Sequence, residues 1–127
     1  MSDMNTPISK VRGLGSAKDG TSNWITHRMT ALANIPLTIF FVVSFVGNVG
    51  KGHAEWVAWI KQPLVSVLLI LFIANFTHHM RSGLQEVIED YVHDHGMKFT
   101  ATLVNKFVCI IIAAISIFSI LRISFGG

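Results

Sequence analysis

The sequence predicts an all-α integral membrane protein with three transmembrane helices. Three observations carry that expectation. Of 127 residues, 51% are hydrophobic and only 13% are charged, against about 25% charged in a soluble domain. The apolar residues fall into three long blocks, each near the ~20 residues that cross a hydrocarbon core at about 1.5 Å per residue. The polar stretches between them are too short to fold separately, so residues 1–127 read as one membrane domain.

A polar segment over residues 1–29 comes first. It has no apolar h-region, so it does not read as a secretory signal peptide, and its acids argue against a transit peptide. The first span covers about residues 30–49, "TALANIPLTIFFVVSFVGNV". Pro36 lies inside it, which a membrane helix tolerates. "GNVGKGH" ends it, because glycine and asparagine stop helices. The second span covers about residues 63–83. Pro63 can open its first turn, and Trp56 and Trp59 precede it as interfacial anchors.

"LQEVIEDYVH" continues the second span as a short amphipathic helical extension. Leu84, Val87, Ile88 and Tyr91 fall near one face, and Glu86, Glu89 and Asp90 on the other. The third span covers about residues 102–123. Lys106 and Arg122 stand near its ends, where long cations reach the headgroups.

Three spans put the N-terminus and the second loop on one side. That side carries Lys10, Arg12, Lys18, Arg28, Arg81, Lys98 and Lys106, against Lys51, Lys61 and Arg122 on the other. The asymmetry predicts a cytoplasmic N-terminus and a cytoplasmic His-rich loop. The expected location is a bacterial inner (cytoplasmic) membrane, with the mitochondrial inner membrane as the second choice. The basic residues are scattered singly, so no nucleic-acid patch is expected. The one cysteine, Cys109, excludes a disulfide framework within the chain. Without inverted repeats or mid-span acids, a transporter is disfavoured.

The chemistry concentrates in "NFTHHMRSGLQEVIEDYVHDH", residues 75–95, which holds four of the six histidines. Helical spacing puts Asn75, His79 and Gly83 on one face. A histidine on a membrane helix is costly and normally has a partner, and a neutral imidazole is a good axial ligand for haem iron. Gly83 would let a flat macrocycle approach the backbone. The bland reading of His79 is a helix-end histidine meeting the last carbonyls. His78 points about 100° away around the helix.

His27 lies on the same side as His79, so it is one candidate for a second ligand; another chain of an assembly is the other. Tyr91 and Asp90 form a polar pair at the membrane surface. A phenol can donate to a quinone carbonyl, and a carboxylate can orient it or help deliver protons. His93 and His95 flank Asp94, which reads as a hydrated loop. Arg28 is either a sidedness charge or a fork for a carboxylate such as a haem propionate.

The run "HMRSGLQEVIEDY" resembles the signature of the small hydrophobic membrane anchor of succinate dehydrogenase (complex II). The matching residues are His79, Gly83, Gln85, Asp90 and Tyr91. Upstream, "GTSNWITHRMTA" resembles the segment before that family's first span, with Arg28 at the family's arginine. Ser22 and Asn23 stand where some relatives carry a histidine or an acid.

The resemblance implies a membrane anchor of succinate:ubiquinone oxidoreductase. His79 would be an axial ligand of haem b, shared with a partner chain, the complex's cytochrome b subunit. Tyr91 would bind ubiquinone with Asp90 beside it, and Arg28 would lie near the haem propionates. It also implies a flavoprotein subunit and an iron–sulfur subunit docked on the cytoplasmic face. Those subunits would carry the succinate chemistry, for the chain has neither a dinucleotide fingerprint nor a cysteine cluster. A haem-free structural anchor, and the anchor of a fumarate reductase using a low-potential quinone, are the alternative readings.

Overall fold

The computed structural model describes residues 6–11 and 18–126, and among them there is helix and no strand. The elements are α1 (Pro7–Val11), α2 (Lys18–Asn48), α3 (His53–Ile60), α4 (Pro63–Tyr91) and α5 (His95–Phe125). The stretches Thr21–Asn48, Pro63–Tyr91 and His95–Phe125 are long and apolar enough to cross a membrane. The predicted fold class is thus borne out. Of the basic residues that predict sidedness, Arg12 lies outside the described residues.

Each long helix extends beyond its apolar block. α2 begins at Lys18, well before residue 30, and α5 at His95, before residue 102. Hydropathy finds where lipid begins, whereas a nucleated helix propagates at little cost until something stops it. α5 starts where Asp94 caps it: the carboxylate Oδ2 accepts the Met97 N–H at 2.9 Å. The extension after the second span and the span itself form one unbroken helix, and the Val92 N–H still donates to the Ile88 carbonyl at 3.0 Å. α2 ends as "GNVGKGH" predicts. Gly50 takes φ +85° in the turn, a conformation other L-residues rarely adopt, and Asn48 folds back on the Ser44 carbonyl at 2.7 Å.

The apolar pattern assigns no helix to residues 53–60. There α3 forms, with the Glu55 Oε2 accepting the Gly52 N–H at 2.9 Å across its first turn. It presents Trp56 and Trp59 edge to face, 5.8 Å apart.

α4 is the central helix, packed against α5 along its length and against α2 on another side. The tightest core lies at the α3 end: Val65, Leu69 and Ile120, with Phe40, Phe41, Trp59, Ile60, Ile70 and Ile73 around them. Phe41 of α2 stacks on Phe72 of α4 at 4.7 Å and 8°. Ser66 is buried there, sharing a hydrogen bond with Ser124 of α5 at 2.6 Å. Apolar surface gains nothing from leaving lipid, so such close packing and interhelical hydrogen bonds carry the association.

Candidate functional site

The polar residues of the second span sit at the other end of the bundle, where α4 leans on α2. Asn75 lies on the α2 side, and its Nδ2 donates to the Thr30 carbonyl at 2.8 Å and to the Asn34 Oδ1 at 2.7 Å. One turn on, the His79 ring stacks on His27 of α2, with centroids 4.9 Å apart and planes 25° from parallel. The His79 Nδ1 is buried and has no hydrogen-bond partner. No hydrogen bond engages the Nε2 either, and it is not among the buried atoms without a partner, so it is the nitrogen left for a group from outside the chain.

Two imidazoles that share an iron point end-on at the metal between them. Stacked rings turn their faces to each other instead. The arrangement of His27 and His79 therefore does not make a bis-histidine site within this chain, although both stand at the same end as expected.

Gly83 follows one turn after His79. A Cβ built there meets no atom within 4 Å, so the chain's own packing does not require a glycine. His78, exposed, faces a cleft of about 450 Å³ between α2 and α4, with Trp24, His27, Arg81, Gln85 and Glu86 on its walls. Arg28 does not line this cleft. It is exposed on α2, with its guanidinium 4.9 Å above the Trp24 ring. The arginine that lines the cleft is Arg81, which the sequence presents only as a sidedness charge. Its place three residues after His78, on the same side of a helix, is the available signal.

The far half of α4 is laced to α5. The Gln85 Nε2 donates to the Thr102 Oγ1 at 3.1 Å, and the Asn105 Nδ2 to the Arg81 carbonyl at 3.0 Å. The Cys109 thiol donates to the Asn105 Oδ1 at 3.4 Å, so the lone cysteine is a buried packing residue. Beyond this lacing, Asp90 and Tyr91 are exposed at the end of α4, Tyr91 at 79%. Twelve residues at about 1.5 Å each put Tyr91 roughly 18 Å from His79 along the helix axis. The structure therefore gives them separate places on one rod.

The residues present fit a haem: one imidazole whose Nε2 no hydrogen bond engages would hold it, and the space over Gly83 one turn away is unfilled. Among the described residues no three His, Cys, Asp or Glu side chains gather as a metal-ion site. A haem asks only for an axial nitrogen.

No solved structure matches the chain. The curated relatives include succinate dehydrogenase hydrophobic membrane anchor subunits from three bacteria. That of Rickettsia bellii is 28% identical over 95% of this chain and 89% of its own length. That of Rickettsia typhi is 26% identical over 86% and 87%, and that of Paracoccus denitrificans 25% identical over 96% and 94%. The sequence model for the succinate dehydrogenase/fumarate reductase transmembrane subunit matches residues 2–113, and the chain belongs to that family.

Proposed function

We propose that the chain is the membrane anchor of a succinate:ubiquinone oxidoreductase in a bacterial inner membrane. It docks the flavoprotein and iron–sulfur subunits, supplies one axial ligand of haem b and forms part of the ubiquinone-reduction site. Its N-terminus and the Tyr91 end of α4 face the cytoplasm, a reading supported by the basic residues gathered on that side. The cytochrome b subunit provides the second haem ligand and the rest of the quinone pocket.

The observation that carries the haem assignment is His79. Its Nδ1 is buried and unpartnered and no hydrogen bond engages its Nε2, so the ring has one nitrogen left to offer a ligand. When bound, haem b supplies a one-electron store beside the quinone route. His79 holds it, and Gly83 leaves room for it against α4. Arg28 is one candidate for its propionates; Arg81, in the cleft beside His27 and His78, is the other.

At the end of α4, Tyr91 donates its phenolic hydrogen to a ubiquinone carbonyl oxygen. That hydrogen bond strengthens as negative charge grows on the oxygen. Asp90, next to it and about 100° around the helix, orients the phenol or passes protons from water. The exposure of Tyr91 in the lone chain supports a role at a surface that partners complete.

The test is a reduced-minus-oxidised optical spectrum of the purified complex, wild type against His79→Ala. A b-type signal lost in the variant is the expected result. An unchanged signal would move the ligand to His78 or to another chain, and no haem in the wild type would leave the haem-free anchor.

A further inference from the structure

We propose that His27 is a positioning residue for the axial imidazole: its ring, stacked on His79, sets the rotation of the ligand plane. This rests on the assignment of His79 as a haem ligand.

A metal-ligating histidine is usually oriented by a hydrogen bond at its other ring nitrogen, to a carbonyl, a carboxylate or water. His79 lacks one, for its Nδ1 is buried without a partner. The hydrogen bonds of the neighbouring polar side chains go elsewhere. The Asn75 Nδ2 donates to Thr30 and Asn34. The Thr77 hydroxyl returns to the Ile73 and Ala74 carbonyls, and the Ser82 hydroxyl to the His78 carbonyl.

The ring torsion of histidine is broad and roughly two-fold, so an imidazole with no such bond is poorly defined in rotation. The contact that defines it here is the His27 face, 4.9 Å away and 25° from parallel. That separation lies within the range of about 4.5–7 Å at which flat rings attract. The backbone behind each ring is rigid. His27 is in α2 and His79 in α4, and Asn75 staples those helices together one turn away. The stack is therefore held by two braced helices and transmits their orientation to the ligand.

The experiment uses the whole purified complex, with wild type, His27→Ala and His27→Phe compared. The readouts are haem content and the low-temperature EPR of the oxidised haem, whose g-values follow the mutual orientation of the axial ring planes. The expected result is unchanged haem content in all three, a shifted or broadened largest g-value in His27→Ala, and a return to the wild-type value in His27→Phe, which keeps a flat ring. His27→Ala with the wild-type spectrum overturns the proposal. So does His27→Phe shifted as far as His27→Ala, or loss of haem from both variants, which would make His27 a binding or folding residue. Wild-type complex without haem is a different failure: it removes the ligand assignment of His79, and the positioning role with it.

Discussion

Asn75→Ala should loosen α2 from α4 by an amount the geometry sets. The Asn75 amide makes two short interhelical bonds, at 2.8 Å to Thr30 and 2.7 Å to Asn34. In membranes such bonds average about 0.6 kcal/mol and reach about 1.7. Losing both costs roughly 1–2 kcal/mol, a factor of about 5–30 in the folded ratio. Asn34→Ala removes only the second bond, so the two variants share one interaction. A double-mutant cycle isolates it, and the coupling should fall near 0.6–1.7 kcal/mol. The assay is an SDS titration in mixed micelles followed by tryptophan fluorescence, which reports on Trp24, Trp56 and Trp59. Asn105→Ala is the control. It acts between α4 and α5, so its effect should add to that of Asn34→Ala within about 0.3–0.5 kcal/mol. If Asn75→Ala and Asn34→Ala add just as closely, the two asparagines are not bonded and α2 is not clamped to α4 through them.

Three further outcomes are expected. Gly83→Ala should leave the chain helical and slightly more stable, by up to about 1 kcal/mol, because a Cβ there meets nothing, and Gly83→Leu fills the same space further. Haem content of the complex should nevertheless fall, and full haem content would remove Gly83 from the site. Tyr91→Phe should lower quinone reduction roughly tenfold or more, since a hydrogen bond to a charged acceptor is worth about 1.5–3 kcal/mol. Assembly should be unaffected, and normal quinone turnover would take Tyr91 out of the pocket. Asp94→Ala should cost the chain about 1 kcal/mol in the SDS titration by uncapping α5, with Asp94→Asn retaining most of it. Equal stability of Asp94→Ala and wild type would mean that the cap is redundant.

The three spans are legible in the sequence because lipid imposes a length and a composition that few other environments do. The turn at Gly50 is legible for a similar reason, as glycine there meets a backbone need. Helix ends are less so. The α5 start depends on one carboxylate, Asp94, which in sequence sits inside a His-Asp-His run that looks like a hydrated loop. α3 escapes notice because eight residues carry too little periodicity to announce a helix, even with Glu55 placed to close its first turn. At the candidate site, spacing correctly groups Asn75 with His79. It cannot show that Arg28 lies over Trp24, nor that Arg81 and not Arg28 lines the cleft. Which side of α2 meets α4 is a property of two helices together, and the pattern of a single helix does not give its neighbour's position.

The difference between the two sides of α2 bears on how the chain works. The most apolar window of α2 has none of its residues buried, against 22% for α4 and 11% for α5. α2 nonetheless keeps a regular inner stripe at His27, Thr30, Asn34, Phe41, Ser44 and Asn48, all half-buried or buried. So α2 packs on one side and is uncommitted on the other, where Leu32, Ile35, Ile39 and Val43 stand exposed. α4 divides differently. It is braced to α5 by Gln85 and Asn105 and to α2 by Asn75 and His79. Among the places α4 leaves free, beside apolar positions such as Leu64 and Leu71, are the space over Gly83 and the Tyr91 tip. Those are the two places where the proposed function needs matter from outside the chain. A continuous helix between them holds their spacing at roughly 12–18 Å, for Gly83 and His79 respectively, to Tyr91. Loosening α4 from either neighbour would let that rod tilt, and both sites would shift together. A variant such as Asn75→Ala, far from Tyr91, should therefore disturb quinone reduction in proportion to its loss of helix docking.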